Sequence, residues 1–179
     1  MTAVPVTLPL PTAADTLALG GRIAMVARAG DLVVLAGPLG AGKTVLAKGI
    51  GAGLGVTGPV VSPTFVLCRG YCDGRLPMVH VDAYRLGSAA ELDDLDLDAA
   101  VAESVTVIEW GSGIAEALAE EYLLVDLRPD ERTEARTARL RAVGGAWSDR
   151  LAELLGPTGA AGPAGRNGRP GSPAAGPSR

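Results

Sequence analysis

The chain alternates short, β-branched apolar runs with longer stretches in which apolar residues recur every three or four positions. Runs of the first kind read as strands and stretches of the second as amphipathic helices. Residues 31–36 (Asp-Leu-Val-Val-Leu-Ala) and 104–110 (Ser-Val-Thr-Val-Ile-Glu-Trp) are apolar with little alternation, the mark of buried strands. Residues 4–10 predict a strand that Pro5 and Pro9 confine to a sheet edge. Residues 12–29 predict a helix, with Thr12 as N-cap, Asp15 at the N3 position and Gly30 as terminator. A second helix is expected over 44–50. Strands at 64–71 and 76–82 are joined by a turn at Asp73-Gly74. A helix over 88–97, capped by Ser88 with Glu91 three residues on, precedes the strand at 104–110 and a short helix at 114–121. Residues 122–128 and 138–143 predict antiparallel strands, and 146–155 a last helix. The sum is an α/β protein, a mixed β-sheet with helices on both faces.

The junction between the strand at 31–36 and the helix at 44–50 carries the strongest chemical signal. Gly37-Pro38-Leu39-Gly40-Ala41-Gly42-Lys43-Thr44 satisfies G-x-x-x-x-G-K-[ST] at every fixed position. The glycines let backbone N–H groups wrap a triphosphate without Cβ clashes. Lys43 reaches the β and γ phosphates as a point charge, and the Thr44 hydroxyl is placed to ligate Mg²⁺. The helix that follows presents an N-terminus that favours anions. The sheet is therefore expected to be that of a P-loop NTPase.

Composition narrows the setting. The 179 residues suffice for one domain with a proper core. A net charge of −4 argues against a general nucleic-acid surface, so DNA is not expected as a partner. No apolar run approaches the ~20 residues needed to cross a bilayer, and the N-terminus lacks a signal-peptide pattern, which points to the cytoplasm. Cys68 and Cys72 with the lone His80 do not make a zinc site. Residues 1–156 form the expected P-loop body. Residues 157–179 are almost entirely Gly, Pro, Ala, Ser and Arg, and are expected to be a disordered tail.

A phosphate-binding loop needs a carboxylate for Mg²⁺ and a group to orient the attacking water. Two acids end apolar strands, Asp82 after Met78-Val79-His80-Val81 and Glu109 after Val105-Thr106-Val107-Ile108. Strand ends are where open α/β sheets place ligands. The pattern does not distinguish which acid serves the metal. Ser62-Pro63-Thr64 lies where a switch segment often falls, and reads equally as a turn stiffened by Pro63. His80 reads first as a satisfied core histidine.

Taken in order, Gly37 to Thr44, Ser62-Pro63-Thr64-Phe65, His80-Val81-Asp82-Ala83-Tyr84-Arg85-Leu86, Glu91-Leu92 and Ile108-Glu109-Trp110-Gly111 resemble the TsaE (formerly YjeE) family over roughly residues 10 to 145. That family comprises the ATPases of bacterial tRNA threonylcarbamoyladenosine biosynthesis. The resemblance implies that Lys43 and the loop amides of Leu39, Gly40, Ala41, Gly42 and Thr44, with Val45 behind them, hold the phosphates of ATP. It implies that Thr44 and Glu109 serve Mg²⁺, with Asp82 beside the metal assisting hydrolysis. It makes residues 62–65 the first switch segment, sets Trp110 beside the nucleotide, and matches Thr16 to a threonine near it. It names TsaB and TsaD as partners, with tRNA engaged indirectly. Many relatives carry an acid where Pro38 stands, and another two residues after Trp110 where Ser112 stands.

Two other readings fit a phosphate-binding loop. A small-molecule kinase would use an arginine-bearing lid, which Arg128, Arg132, Arg136, Arg139 and Arg141 imitate, although interspersed acids favour a solvated strand pair. A GTP-dependent switch would carry N-K-x-D, which this chain lacks. The acidic stretch 91–98 reads as a solvated helix face or as a docking surface for a basic partner.

Overall fold

A computed structural model describes residues 4–85, 91, 98–113 and 119–156. Its strands are β1 (Val6–Leu10), β2 (Leu32–Ala36), β3 (Cys68–Tyr71), β4 (Met78–Asp82), β5 (Val105–Glu109), β6 (Tyr122–Pro129) and β7 (Arg136–Val143). Its helices are α1 (Ala13–Val26), α2 (Lys43–Leu54), α3 (Asp98–Glu103) and α4 (Gly145–Leu155), with a short 3-10 turn at Ala83–Arg85. One sheet runs β1-β7-β6-β2-β5-β4-β3. β6, β2, β5 and β4 are mutually parallel, and β7 and β3 flank them antiparallel. The proline-bearing strand β1 lies at the edge beyond β7, with Pro9 opposite Thr137. The apolar runs of β2 and β5 occupy the sheet centre, where every residue from Leu32 to Leu35 and from Val105 to Glu109 is buried.

Alternation sorts the sheet into two faces. Val33, Leu35, Val105, Val107, Leu123, Val125 and Met78 share the larger core with α1, α2 and α4. Leu32, Val34, Ile108, Val79 and Val81 face the other way into a smaller cluster with Tyr122 and Ala119 beside it. The helix expected over 88–97 (Glu91 apart), most of that over 114–121, the acidic stretch (its ends apart) and the tail lie outside the described residues. Among the described residues no helix is long and apolar enough to cross a membrane.

Element ends differ from the sequence pattern for local reasons. The capping box at Thr12 forms as expected, with Asp15 N–H donating to Thr12 Oγ1 and Thr12 N–H to Asp15 Oδ2. Yet α1 stops at Val26, because Ala27 is extended and Asp31 draws the Arg28 N–H out of the helix. Gly30 instead makes the left-handed turn into β2 at φ = +85°. The strand expected from residue 64 begins only at Cys68. Val66 and Leu67 N–H groups both turn back to the Pro63 carbonyl, at 2.9 and 2.7 Å, and Leu67 sits at φ = +63°.

Glycine fixes how closely α1 lies against α2. A Cβ on Gly49 would stand 2.2 Å from the Leu17 carbonyl oxygen, and one on Gly20 2.4 Å from that of Leu46. Neither backbone can yield without moving a helix. We expect Gly49→Ala to cost at least about 2 kcal/mol and to lower Tm by at least about 5 °C. Gly21→Ala, whose Cβ would meet nothing within 4 Å, is expected to leave Tm unchanged or raised in the same calorimetric scan.

Candidate functional site

Between β2 and α2 the chain makes a loop with Gly37, Gly40 and Gly42 at φ = +130°, +78° and +102°. Side-chain-bearing residues rarely adopt these values, which explains the glycines of the motif. Gly37 has a second reason, since a Cβ there would fall 2.3 Å from the Leu127 carbonyl oxygen of β6. Gly42 caps α2 without any side-chain hydrogen bond, so the first N–H groups of the helix are left for an anion. Lys43 opens that helix and is buried. Its Nζ donates to the Gly37 and Pro38 carbonyls, each at 2.9 Å, and lies 3.5 Å from the centre of the Trp110 ring. Burial lowers the pKa of this amine, and the charges of Glu109 and Asp82 partly offset the effect.

The carboxylates come from parallel neighbours in register. Asp82 of β4 pairs with Glu109 of β5, at the C-terminal ends of both strands. By alternation both belong to the face that α2 covers. Thr44, in the first turn of α2, donates its hydroxyl to Glu109, 2.9 Å from Oε1 and 3.2 Å from Oε2. His80 Nε2 lies 3.0 Å from Glu109 Oε1. Asp82 faces other partners: Thr64 Oγ1 donates to its Oδ2 at 2.8 Å, Ser62 Oγ to the same oxygen at 3.3 Å, and Tyr84 N–H to Oδ1 at 3.0 Å. Both acids are at most 4% exposed, and hydrogen bonds of this kind are what allow buried carboxylates to stay charged. One hydroxyl and two carboxylates are hard oxygen donors suited to Mg²⁺. No group of three or more His, Cys, Asp or Glu able to hold a metal occurs among the described residues.

Trp110 follows β5 at φ = +62°, its N–H bonded to Leu35 O at 3.0 Å, and its ring lies 5.0 Å from that of Tyr84. With Gly37, Pro38, Ser112 and Arg128 it lines a cleft of about 520 Å³ on the side of the loop away from α2. Thr16 is buried in α1 and donates its hydroxyl to Thr12 O at 3.3 Å, so its side chain is engaged within its own helix. Two residues have a place here that the sequence reading did not give them. His80 reads from the sequence as a core histidine, and its ring's one hydrogen bond among the described residues runs to Glu109. Arg136 was grouped with solvated arginines, yet its Nη1 lies 3.4 Å from Ala41 O, over Gly42. Only the fold, which brings the start of β7 beside the loop, reveals it.

A parallel-centred sheet with the G-x-x-x-x-G-K-T loop between β2 and α2, and acids ending β5, which neighbours β2, and β4 beyond it, defines a P-loop α/β protein. Residues 10–138 match the family model described as threonylcarbamoyl adenosine biosynthesis protein TsaE. The chain belongs to that family. It is 52% identical over 133 residues to the Mycobacterium leprae protein called tRNA threonylcarbamoyladenosine biosynthesis protein TsaE, covering 69% of this chain and 83% of that one. It is 49% identical over 137 residues to the Streptomyces coelicolor protein of the same name, covering 73% and 92%. The crystal structure of Bacillus YdiB superposes with a TM-score of 0.72 at 32% identity, covering 86% of this chain and 95% of that one.

Replacing Lys43 tests the loop directly. We expect Lys43→Ala to weaken ATP binding by at least about 100-fold, since charge-assisted bonds to phosphate are lost, while the chain stays folded by circular dichroism. Unchanged affinity by calorimetry would remove the loop from the site.

Proposed function

We propose that this chain is a Mg²⁺-dependent ATPase of the cytoplasm that supports tRNA threonylcarbamoyladenosine biosynthesis by driving or resetting a complex of TsaB and TsaD. The observation that carries the reading is the Thr44–Glu109 hydrogen bond, which joins the first turn behind the phosphate-binding loop to a strand-end carboxylate. In this reading the N–H groups from Leu39 to Val45 receive phosphate oxygens, and Lys43 exchanges its loop carbonyls for the β and γ phosphates. Thr44 and Glu109 hold Mg²⁺, with Asp82 beside it. Bound Mg²⁺ neutralises charge developing on the transferring phosphoryl group. Asp82, fixed by Ser62, Thr64 and the Tyr84 N–H, orients the attacking water. Trp110 flanks the phosphates.

The pathway comes from family membership and from the names its relatives bear. A role acted out on a partner is supported by what surrounds Asp82. Phe65 is 92% exposed and Tyr84 66% exposed, and both stand on segments bonded to that carboxylate. Arg85 donates to Thr64 O and lies over the Phe65 ring at 5.4 Å. A segment tied to an acid beside the proposed metal and ending in an exposed ring can pass the state of the nucleotide to a neighbour.

Steady-state hydrolysis with and without TsaB and TsaD tests the proposal. The chain alone is expected to turn over slowly and the pair to accelerate it. Glu109→Ala and Asp82→Ala are each expected to reduce turnover at least about 100-fold while changing ATP affinity far less. Wild-type turnover in both variants would contradict the reading, as would phosphoryl transfer to a small metabolite.

A further inference from the structure

We propose that His80 is the positioning residue for the metal-side carboxylate, an inference that rests on the Mg²⁺ reading above. His80 lies two residues before Asp82 on β4, opposite Val107 of β5, so its side chain emerges on the α2 face beside that of Glu109. It is fully buried. Its Nε2 stands 3.0 Å from Glu109 Oε1, and its Nδ1, equally buried, has no hydrogen-bond partner among the described residues. A histidine kept only for packing would satisfy both ring nitrogens or be replaced by an apolar side chain, because an orphaned buried nitrogen costs stability. Here the ring tolerates that cost and directs its one hydrogen bond at Glu109.

The direction of the bond follows from the partner. A carboxylate only accepts, so the bond runs from the ring's Nε2–H to Glu109 Oε1. An N–H donor fixed in the core suits the task, since it holds one carboxylate oxygen and leaves the other free. Glu109 accepts from two side chains among the described residues, Thr44 and His80. Thr44 is itself a metal ligand in this reading, and its oxygen must face the cation once one is bound. His80 then remains to hold the carboxylate in place. It pins Oε1 and leaves Oε2, whose described contact is the longer 3.2 Å bond from Thr44, as the oxygen presented to the cation or its water. A hydrogen-bonded partner behind a metal ligand typically changes metal affinity by about 10–100-fold when removed.

The test uses the full chain with three substitutions. His80→Leu removes the donor, His80→Gln returns an amide N–H near the Nε2 position, and His80→Asn offers a donor too short to reach Glu109. Calorimetry measures ATP affinity against Mg²⁺ concentration and again with the metal chelated, and thermal scans report folding. In His80→Leu, the Mg²⁺ needed to tighten ATP binding should rise about 10–100-fold, with metal-free ATP affinity within about twofold of wild type. His80→Gln should recover most of the Mg²⁺ response. Should His80→Leu fail to fold, the comparison passes to His80→Gln, responsive, against His80→Asn, impaired. An unshifted Mg²⁺ response in the donor-less variants overturns the assignment, as does equal impairment of Gln and Asn. Parallel loss of metal-free ATP binding also overturns it, by showing a merely structural role. A wild-type chain whose ATP affinity ignores Mg²⁺ overturns the reading beneath it.

Discussion

The structure turns on one constraint, the parallel register that sets Asp82 of β4 beside Glu109 of β5 under the first turn of α2. The Thr44–Glu109 hydrogen bond ties helix to sheet at that point. Because side chains alternate along a strand, a register shift of one residue would turn one of the acids to the opposite face, away from the loop. The apolar residues on either side enforce the register. Met78, Val105 and Val107 must enter the core with α2, while Val79, Val81 and Ile108 must enter the smaller cluster behind the sheet. Packing thus specifies the site, and the acids occupy positions that the core has already fixed.

That arrangement gathers charge where water is scarce. Lys43, Asp82 and Glu109 are each at most 4% exposed, which would be costly were any left unpaired. Each is satisfied locally. Lys43 folds onto two carbonyls of its own loop and onto the Trp110 ring. Asp82 gathers the Ser62 and Thr64 hydroxyls, and Glu109 those groups already described. A nucleotide would therefore exchange partners with preformed groups rather than order a loose loop, which limits the reorganisation that binding demands. The segments bonded to Asp82 carry Phe65 and Tyr84 at the surface.

What the sequence revealed, and what it withheld, follows the range of the forces involved. The glycine-rich loop between β2 and α2 was legible because its glycines, lysine and threonine are neighbours in the chain and act locally. The start of α1 was legible for the same reason, since Thr12 and Asp15 close a box three residues wide. The end of α1 was not, because Asp31, beyond the helix, competes for the Arg28 N–H. Thr64, Phe65 and Val66 have strand-forming character, yet the Pro63 carbonyl and Asp82 bend them into a turn. Asp82 and Glu109 were both visible as strand-end acids. Which of them meets Thr44 depends on strand order, a property of the whole sheet. His80 and Arg136 needed the fold altogether, for their partners lie 29 and 95 residues away.

The most direct measurement is a crystal structure of the chain with Mn²⁺ in place of Mg²⁺ and a non-hydrolysable ATP analogue, with the metal located by its anomalous signal. The account predicts a single metal peak between Thr44 Oγ1 and the Glu109 carboxylate, with Lys43 lifted from the Gly37 and Pro38 carbonyls onto the phosphates. A metal peak away from Glu109, or a nucleotide bound while Lys43 keeps its loop carbonyls, would contradict it.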